Sequence, residues 1–500
     1  MYISTRGENN NFGAAEAIVV GIAADGGLFV PTIVPKIDTD WLANLTNLDY
    51  GKRAFKILGL FLPDYSDKEL GSCIEAAYTT AKFNDPRIAP LVSIGENKFI
   101  LELWHGPTSA FKDMALQILP QLLATALSKT NETAEIVILT ATSGDTGKAA
   151  LEGFADVDQI KIIVFYPDNG VSPIQRMQMV TQAGSNVSVV AVKGNFDDTQ
   201  TGVKDIFNNI EFNADLAAQG FQLSSANSIN WGRLAPQIVY YFSAYADMVR
   251  DGHLQLGQAV NFVVPTGNFG NILAGYYAKT MGLPIGKLIC ASNSNNVLTE
   301  FLQTGVYNRK RPFHKTVSPS MDILISSNLE RLLYYITNGD TLQVKNFMAE
   351  LNDSGQYNVG EDYLTAIQQI FWADYVDDNE TLQQIKAVYN EYNYLTDPHT
   401  AVAWQVGDRY RQQTGDHTTQ IIISTASPFK FNESVLTAID DSENMVGKSE
   451  FEMLQQLAAL SGSTVPTALA TLENEPIRHQ RVCNKEDMSV VIKQILQLSK

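Results

Sequence analysis

Apolar, β-branched runs of five to eight residues recur along the chain with helical stretches between them: 135–142 (EIVILTAT), 160–166 (IKIIVFY), 187–192 (VSVVAV), 259–264 (AVNFVV), 287–291 (KLICA) and 420–425 (QIIIST). A strand wetted on one face alternates apolar and polar residues, whereas a continuous apolar run implies burial on both faces. Strands of that kind belong in a parallel sheet covered by helices, so the pattern implies an α/β fold. The connectors agree, since Phe111, Met114, Ala115, Ile118, Leu119, Leu122 and Leu123 share one face at a helical period. Pro120 is expected to kink that helix or end its first part.

At 500 residues the chain is expected to divide into lobes. Residues 1–85 read as an N-terminal cap, with turn signals at Asp25-Gly26-Gly27 and Pro31. Residues 86–200 read as a small α/β domain and 201–500 as a large one. Within the large domain, residues 300–390 carry polar helical patterns, an acidic cluster at 374–380 (DYVDDNE) and no convincing strand, and so read as a helical insertion.

Hydrophobic residues make up 45% of the chain, which excludes a disordered, collagen-like or disulfide-stapled protein. The formal net charge of -18 opposes sequence-independent binding to nucleic acid or an anionic membrane, so an anionic ligand must find a local cationic or amide-lined site. Cys73, Cys290 and Cys483 are far apart and form no CxxC pair, which suits reduced thiols. The six histidines never fall three or four apart, so no metal site is expected. The N-terminus MYISTRGENNNFG lacks an apolar core for secretion, and no apolar run approaches the roughly 18 to 20 residues that span a bilayer. A cytoplasmic protein, monomeric or homodimeric, is expected.

Ligands in open α/β sheets bind beyond the carboxyl ends of the strands, which directs attention to four junctions. In the first, 135–142 runs into Ser143-Gly144-Asp145-Thr146-Gly147 and a helix, where small residues and a helix N-terminus suit an anion. The alternative is a glycine turn capped by Ser143 or Asp145. A nucleotide-triphosphate loop is excluded because Thr142 stands where glycine is needed and Ala149 where Ser or Thr is needed. In the second, Gly267-Asn268-Phe269-Gly270-Asn271 follows 259–264 and suits a monophosphate cup or a structural turn; it lacks the G-x-G-x-x-G spacing of dinucleotide sites. In the third, Thr425 ends a buried strand, where its hydroxyl meets either a ligand heteroatom or local backbone. The fourth, LELWHGPTSAFKDMALQ, places Lys112 among apolar neighbours that favour a neutral, imine-forming amine, the alternative being a surface lysine paired with Asp113. Together, a reactive lysine, a phosphate cup and a strand-end hydroxyl match the aldehyde, phosphate and ring nitrogen of pyridoxal phosphate.

With STRG (4–7), DGGLFVP (25–31), WHGPTSAFKDMALQ (104–117), TSGDTGKAA (142–150), NSINWGRLAPQIVYYF (227–242) and PTGNFGN (265–271), the chain resembles the threonine synthases of the long bacterial and fungal type. The resemblance runs from near the N-terminus to about residue 432. It implies a fold-type II pyridoxal-phosphate enzyme, tryptophan synthase β-like, with two helix-covered, mostly parallel sheets. Lys112 then becomes the Schiff-base lysine, Gly267, Asn268, Phe269, Gly270 and Asn271 the phosphate cradle, and Thr425 the residue facing the pyridine nitrogen. Ser143, Asp145, Thr146, Asn230, Arg233 and Lys430 become the substrate contacts.

The implied reaction takes O-phospho-L-homoserine and water to L-threonine and phosphate, with Lys112 as general base. The family commonly reads STAHPAKF where residues 424–431 read STASPFKF, so Ser427 replaces a histidine and Phe429 an alanine, while Lys430 is retained. That departure leaves open a threonine synthase-like phospho-lyase ending in a 2-oxo acid. A threonine or serine dehydratase would share the fold, but GNFGN and NSINWGR resemble the synthases more. A catalytically silent binding protein would keep the cofactor or substrate shape, yet would not need Lys112, the cup and Thr425 together.

Overall fold

The computed structural model describes residues 1–498 except 9, 96, 143, 169 and 441–446. In chain order its strands are β1 (Tyr2–Ser4), β2 (Phe29–Pro31), β3 (Leu91–Ser93), β4 (Lys98–Glu102), β5 (Glu135–Ala141), β6 (Ile160–Pro167), β7 (Val187–Lys193) and β8 (Phe221–Ser224). They continue with β9 (Val260–Pro265), β10 (Ile285–Ser292), β11 (Val306–Asn308), β12 (Gln356–Asn358), β13 (Phe371–Tyr375), β14 (Gln420–Ser424) and β15 (Arg481–Asn484). A larger sheet has the order β13-β10-β9-β14-β4-β3 and a smaller one the order β15-β7-β6-β5-β8. All pairings in the smaller sheet are parallel, and in the larger only the edge pair β3–β4 is antiparallel.

All six apolar runs are strands, and the centres of β5, β6, β9 and β14 are buried on both faces. The lysine-bearing connector is interrupted as its proline requires: one helix spans Asp113–Leu116 and the next, Leu119–Thr130, has Pro120 in its first turn.

Two expectations are corrected. Residues 300–390 are not purely helical: β11 and β12 form a small antiparallel ribbon, and β13 is the edge of the larger sheet. β13 reads FWADY and is fully buried only at Phe371 and Ala373, so its sequence lacks the continuous apolar run of an inner strand. The division at residue 200 follows neither sheet. β3 and β4 lie in the larger sheet while β8 and β15 complete the smaller, because the chain crosses between sheets before each is finished.

The N-terminal cap is tied down by charge. Arg6 and Thr5 both reach Glu330, and the buried Arg53 meets Asp247 at 2.7 Å. Among the described residues no helix is long and apolar enough to cross a membrane, and no group of His, Cys, Asp and Glu could hold a metal ion.

Candidate active site

The carboxyl ends of β4, β5, β9 and β14 lead into the four junctions singled out by the sequence, and the structure links them. Ala110 bridges Ala426, the Phe111 N–H donates to the Thr425 carbonyl at 2.7 Å, and the Ser427 N–H donates to the Ser109 carbonyl at 3.0 Å. The turn before Lys112 is therefore laced to the end of β14. Lys112 has an 11% exposed side chain, and its Nζ lies 5.2 Å from the Phe111 ring centre and 3.7 Å from Asp145 Oδ2. Burial lowers the Lys112 ammonium to about 8; Asp145 opposes that fall, and Arg233 and Lys430 add to it. Asp113 is not its partner. That carboxylate is fully buried, turns away to accept the N–H and hydroxyl of Thr108, and is pushed up to about 7 by desolvation.

Asp145 is the hub. Its Oδ1 takes Lys430 Nζ at 2.7 Å and Gln175 Nε2 at 3.0 Å, and its Oδ2 accepts from the Ser320 hydroxyl at 3.2 Å. Burial alone would raise this carboxyl, but the ammonium groups of Lys430 and Lys112 hold it well below the usual carboxylate range. Lys430 is fully buried and also donates to the Thr108 carbonyl at 3.0 Å. Gly144 lies at φ +138, and a Cβ there would meet the Gln175 side chain at 2.3 Å, so this turn admits no larger residue. Thr146 is half-buried in the first turn of the helix Asp145–Phe154. Ser143 lies outside the described residues.

Residues 267–271 form a cup at the start of the helix Gly270–Met281, with Phe269 in the left-handed region at φ +62. None of the five amides donates to an acceptor among the described residues. Asn271 Oδ1 accepts from Tyr240 and Tyr241 at 2.7 and 2.8 Å, yet its buried Nδ2 has no partner among the described residues. A ring of unused donors at a helix N-terminus fits a phosphate, and the orphaned buried amide is otherwise costly. A Cβ on Gly267 would stand 2.9 Å from the Ser320 carbonyl oxygen, so the cup closes against the segment 318–328. That segment also braces it through Ser326 Oγ to the Gly267 carbonyl (2.9 Å) and the Asn328 N–H to the Asn268 carbonyl (3.1 Å).

Arg233 is buried, donates to the Ala226 carbonyl at 2.7 Å, and has no carboxylate partner among the described residues; desolvation lowers it to about 10. Asn230 is different. Its Oδ1 caps the helix Trp231–Leu234 by accepting the Gly232 N–H (2.9 Å), and its Nδ2 donates to the Ile18 carbonyl (3.0 Å). Each end of the amide makes one such bond, so the contacts that the structure shows for Asn230 are those of a helix cap. The Thr425 side chain lies just past β14, 5% exposed. Ser427 is fully buried and its hydroxyl has no partner among the described residues, whereas Phe429 packs with Ile174, Leu395 and Ala401 in a separate apolar cluster.

Sequence reading missed Gln175, Ser320 and the pair Asp397–His399. His399 Nδ1 lies 2.7 Å from Asp397 Oδ1, and its Nε2 accepts the Ser320 N–H at 3.1 Å. The only sequence signal was TDPHTA (396–401), which announces a helix start through an Asp cap and a following proline.

Three family models match: "Threonine synthase N terminus" over residues 1–78, "Pyridoxal-phosphate dependent enzyme" over 87–425 and "Threonine synthase, C-terminal" over 400–495. The chain is 41% identical over 495 residues to Threonine synthase-like 1 of Homo sapiens, covering 97% of this chain and 65% of that protein's length. It is 39% identical over 490 residues to threonine synthase of Saccharomyces cerevisiae, covering 92% of this chain and 93% of the yeast one. The crystal structure of PLP-bound threonine synthase from Brucella melitensis superposes with a TM-score of 0.87 at 36% identity, covering 99% of each chain.

Proposed function

Because this chain belongs to the threonine synthase family of fold-type II, pyridoxal-phosphate-dependent enzymes, we propose that it converts O-phospho-L-homoserine and water to L-threonine and phosphate. The observation that carries the reading is a surplus of buried positive charge: Lys112 and Lys430 share one ionised carboxylate, Asp145, while Arg233, which acts on Lys112 from nearby, has no carboxylate partner among the described residues, in a chain of net charge -18. Buried cations are retained only where an anion compensates them. The cup at 267–271 is a second anion site, so the protein holds two phosphates, one on the cofactor and one on the substrate.

The residues present fit pyridoxal phosphate. The five free amides and Asn271 Nδ2 would hold its phosphate, Lys112 its aldehyde carbon, and Thr425 would face its ring nitrogen. When bound, this group supplies an electron sink for charge developing at the substrate's α-carbon. The protein's own residues do the rest. Lys112, with an ammonium lowered to about 8, is poised near neutral pH to take a proton at the α-carbon and to return one. Arg233 and Lys430 attract the phosphate ester. Asp145 is an ionised acceptor and cannot donate to an anion, so its part is to orient Lys430 and Lys112 rather than to touch the substrate phosphate. Ser143 and Thr146 remain candidate hydroxyl contacts.

Amino-acid analysis of the product made from O-phosphohomoserine tests the proposal: threonine in step with phosphate supports it. A second reading rests on Ser427, whose buried hydroxyl has no partner among the described residues where the family pattern carries a histidine. Phosphate released with a 2-oxo acid and no threonine would select that phospho-lyase reading instead.

A further inference from the structure

The Asp397–His399 pair lies outside the motifs that mark the site, yet it reaches Asp145 through a single residue. Asp397 is completely buried. Its Oδ1 accepts from the His399 N–H at 2.9 Å and from His399 Nδ1 at 2.7 Å, while its Oδ2 accepts the Thr400 hydroxyl and the Thr400 N–H. With Nδ1 donating, Nε2 is left as an acceptor, and it takes the Ser320 N–H at 3.1 Å. The Ser320 hydroxyl then donates to Asp145 Oδ2, the oxygen nearest Lys112 Nζ. The far end of the relay is fixed as well: Thr400 Oγ1 and Trp104 Nε1 both meet Ser424 Oγ at 3.0 Å, one residue before Thr425.

We propose that Asp397, His399 and Ser320 form a positioning relay that holds one oxygen of Asp145 away from Lys112 and so sets the protonation of the reactive amine. The relay rests on the reading of Lys112 as that amine. Its three members act on Lys112 through Asp145. A donor on Asp145 Oδ2 draws off charge that the oxygen would otherwise offer to the ammonium. Remove the donor, and the carboxylate is free to close the 3.7 Å gap and stabilise the charged lysine. The groups facing Lys112 are Asp145, Lys430 and Arg233; those facing His399 are Asp397, Asp322 and the Phe431 ring.

The test titrates Lys112 in the full chain after dialysis of the cofactor, by the pH dependence of its labelling with an amine reagent, alongside kcat and KM of the holoenzyme. Ser320→Ala and His399→Leu should raise the midpoint by about half to one pH unit, a fraction of the roughly one to two units that a hydrogen bond to a charged group is worth, because the loss reaches Lys112 only through Asp145. They should lower kcat near neutral pH more than they raise KM. His399→Gln offers an amide oxygen to the Ser320 N–H and should return the midpoint toward that of the parent. If Ser320→Ala and His399→Leu lower thermal stability but leave the midpoint unmoved, the pair is merely structural and the proposal is overturned. It is equally overturned if His399→Gln behaves as His399→Leu. A parent enzyme that makes no threonine would sink the proposed reaction without altering any of these midpoints, so the two failures are distinct.

Discussion

Replacing Asp145 by Asn removes the only ion-pair partner that Lys112 and Lys430 have among the described residues. At the observed 3.7 Å, an effective dielectric of about 20 gives an attraction of about 4.5 kcal/mol, equivalent to roughly three pH units on the lysine. Part of this is returned. The amide oxygen that replaces the carboxylate can still accept a hydrogen bond from the ammonium. The midpoint for Lys112, about 8 in the parent, should therefore fall by between about one and three units. The amine would then be at least about half neutral at pH 7. Stripping the charge from a buried ion pair also destabilises the fold by about 3–5 kcal/mol, so circular dichroism must first show that Asp145→Asn is folded at the assay temperature. The measurement is the labelling rate of Lys112 against pH in cofactor-free protein, read by peptide mass spectrometry. A midpoint at or above the parent value would refute the account, because it would mean that Asp145 does not stabilise the lysine's charge.

Lys112→Ala should abolish the visible absorption of the lysine-bound cofactor; a retained band would move the cofactor to another amine. Asn271→Leu keeps the packing volume but deletes the unpartnered Nδ2, and should weaken retention of the cofactor about tenfold by equilibrium dialysis, the value of one hydrogen bond to a charged group. Arg233→Met should raise KM for the phosphorylated substrate by tenfold or more. It should also leave the ligand-free protein as stable or more so in thermal melts, since the guanidinium it removes has no carboxylate partner among the described residues. Asp113→Asn is read through pH. The folded carboxyl at about 7 stands above its ordinary value of 3.8, so the parent loses stability as pH rises from about 4 through 7, by up to about 4 kcal/mol. The variant should match the parent near pH 4 and exceed it at pH 8, and melting curves at the two values check the sign.

Strands β5, β6, β7, β9, β10 and β14 were legible because burial on both faces leaves a continuous apolar run. β4 was not, although it is buried throughout. It is only five residues long and opens on Lys98, whose charge is met by Asp408 at 2.5 Å and whose Nζ lies over the Trp404 ring at 4.9 Å. At the candidate site, the sequence named residues whose chemistry is local, among them Lys112 in its apolar setting, the glycine cup and Thr425, and the structure laces the turn of Lys112 to that of Thr425. The residues that orient them were not named. Ser320 lies 175 positions from Asp145 and His399 lies 79 from Ser320, so neither contact leaves a periodic trace along the chain. Asn230 shows the converse case, a residue whose visible contacts are structural. It sits inside a motif shared with the family, yet both ends of its amide are consumed by backbone.

The charge distribution gives the site its thermodynamic character. A buried guanidinium without a carboxylate among the described residues, a lysine whose charged form is disfavoured and an orphaned amide each cost stability in the ligand-free protein. The fold tolerates them because its sheets and the cap around Arg53–Asp247 bury a large apolar core elsewhere. Anions that satisfy these groups bind the folded state alone, so they must stabilise it by mass action. Inorganic phosphate should therefore raise the melting temperature of the cofactor-free parent. The rise should shrink in Arg233→Met and in Asn271→Leu and shrink further in the double variant, because the proposed function gives the two residues separate phosphate positions, whose effects should add. Equal, undiminished rises in all four proteins would mean that phosphate binds elsewhere and that the buried cations are not an anion site.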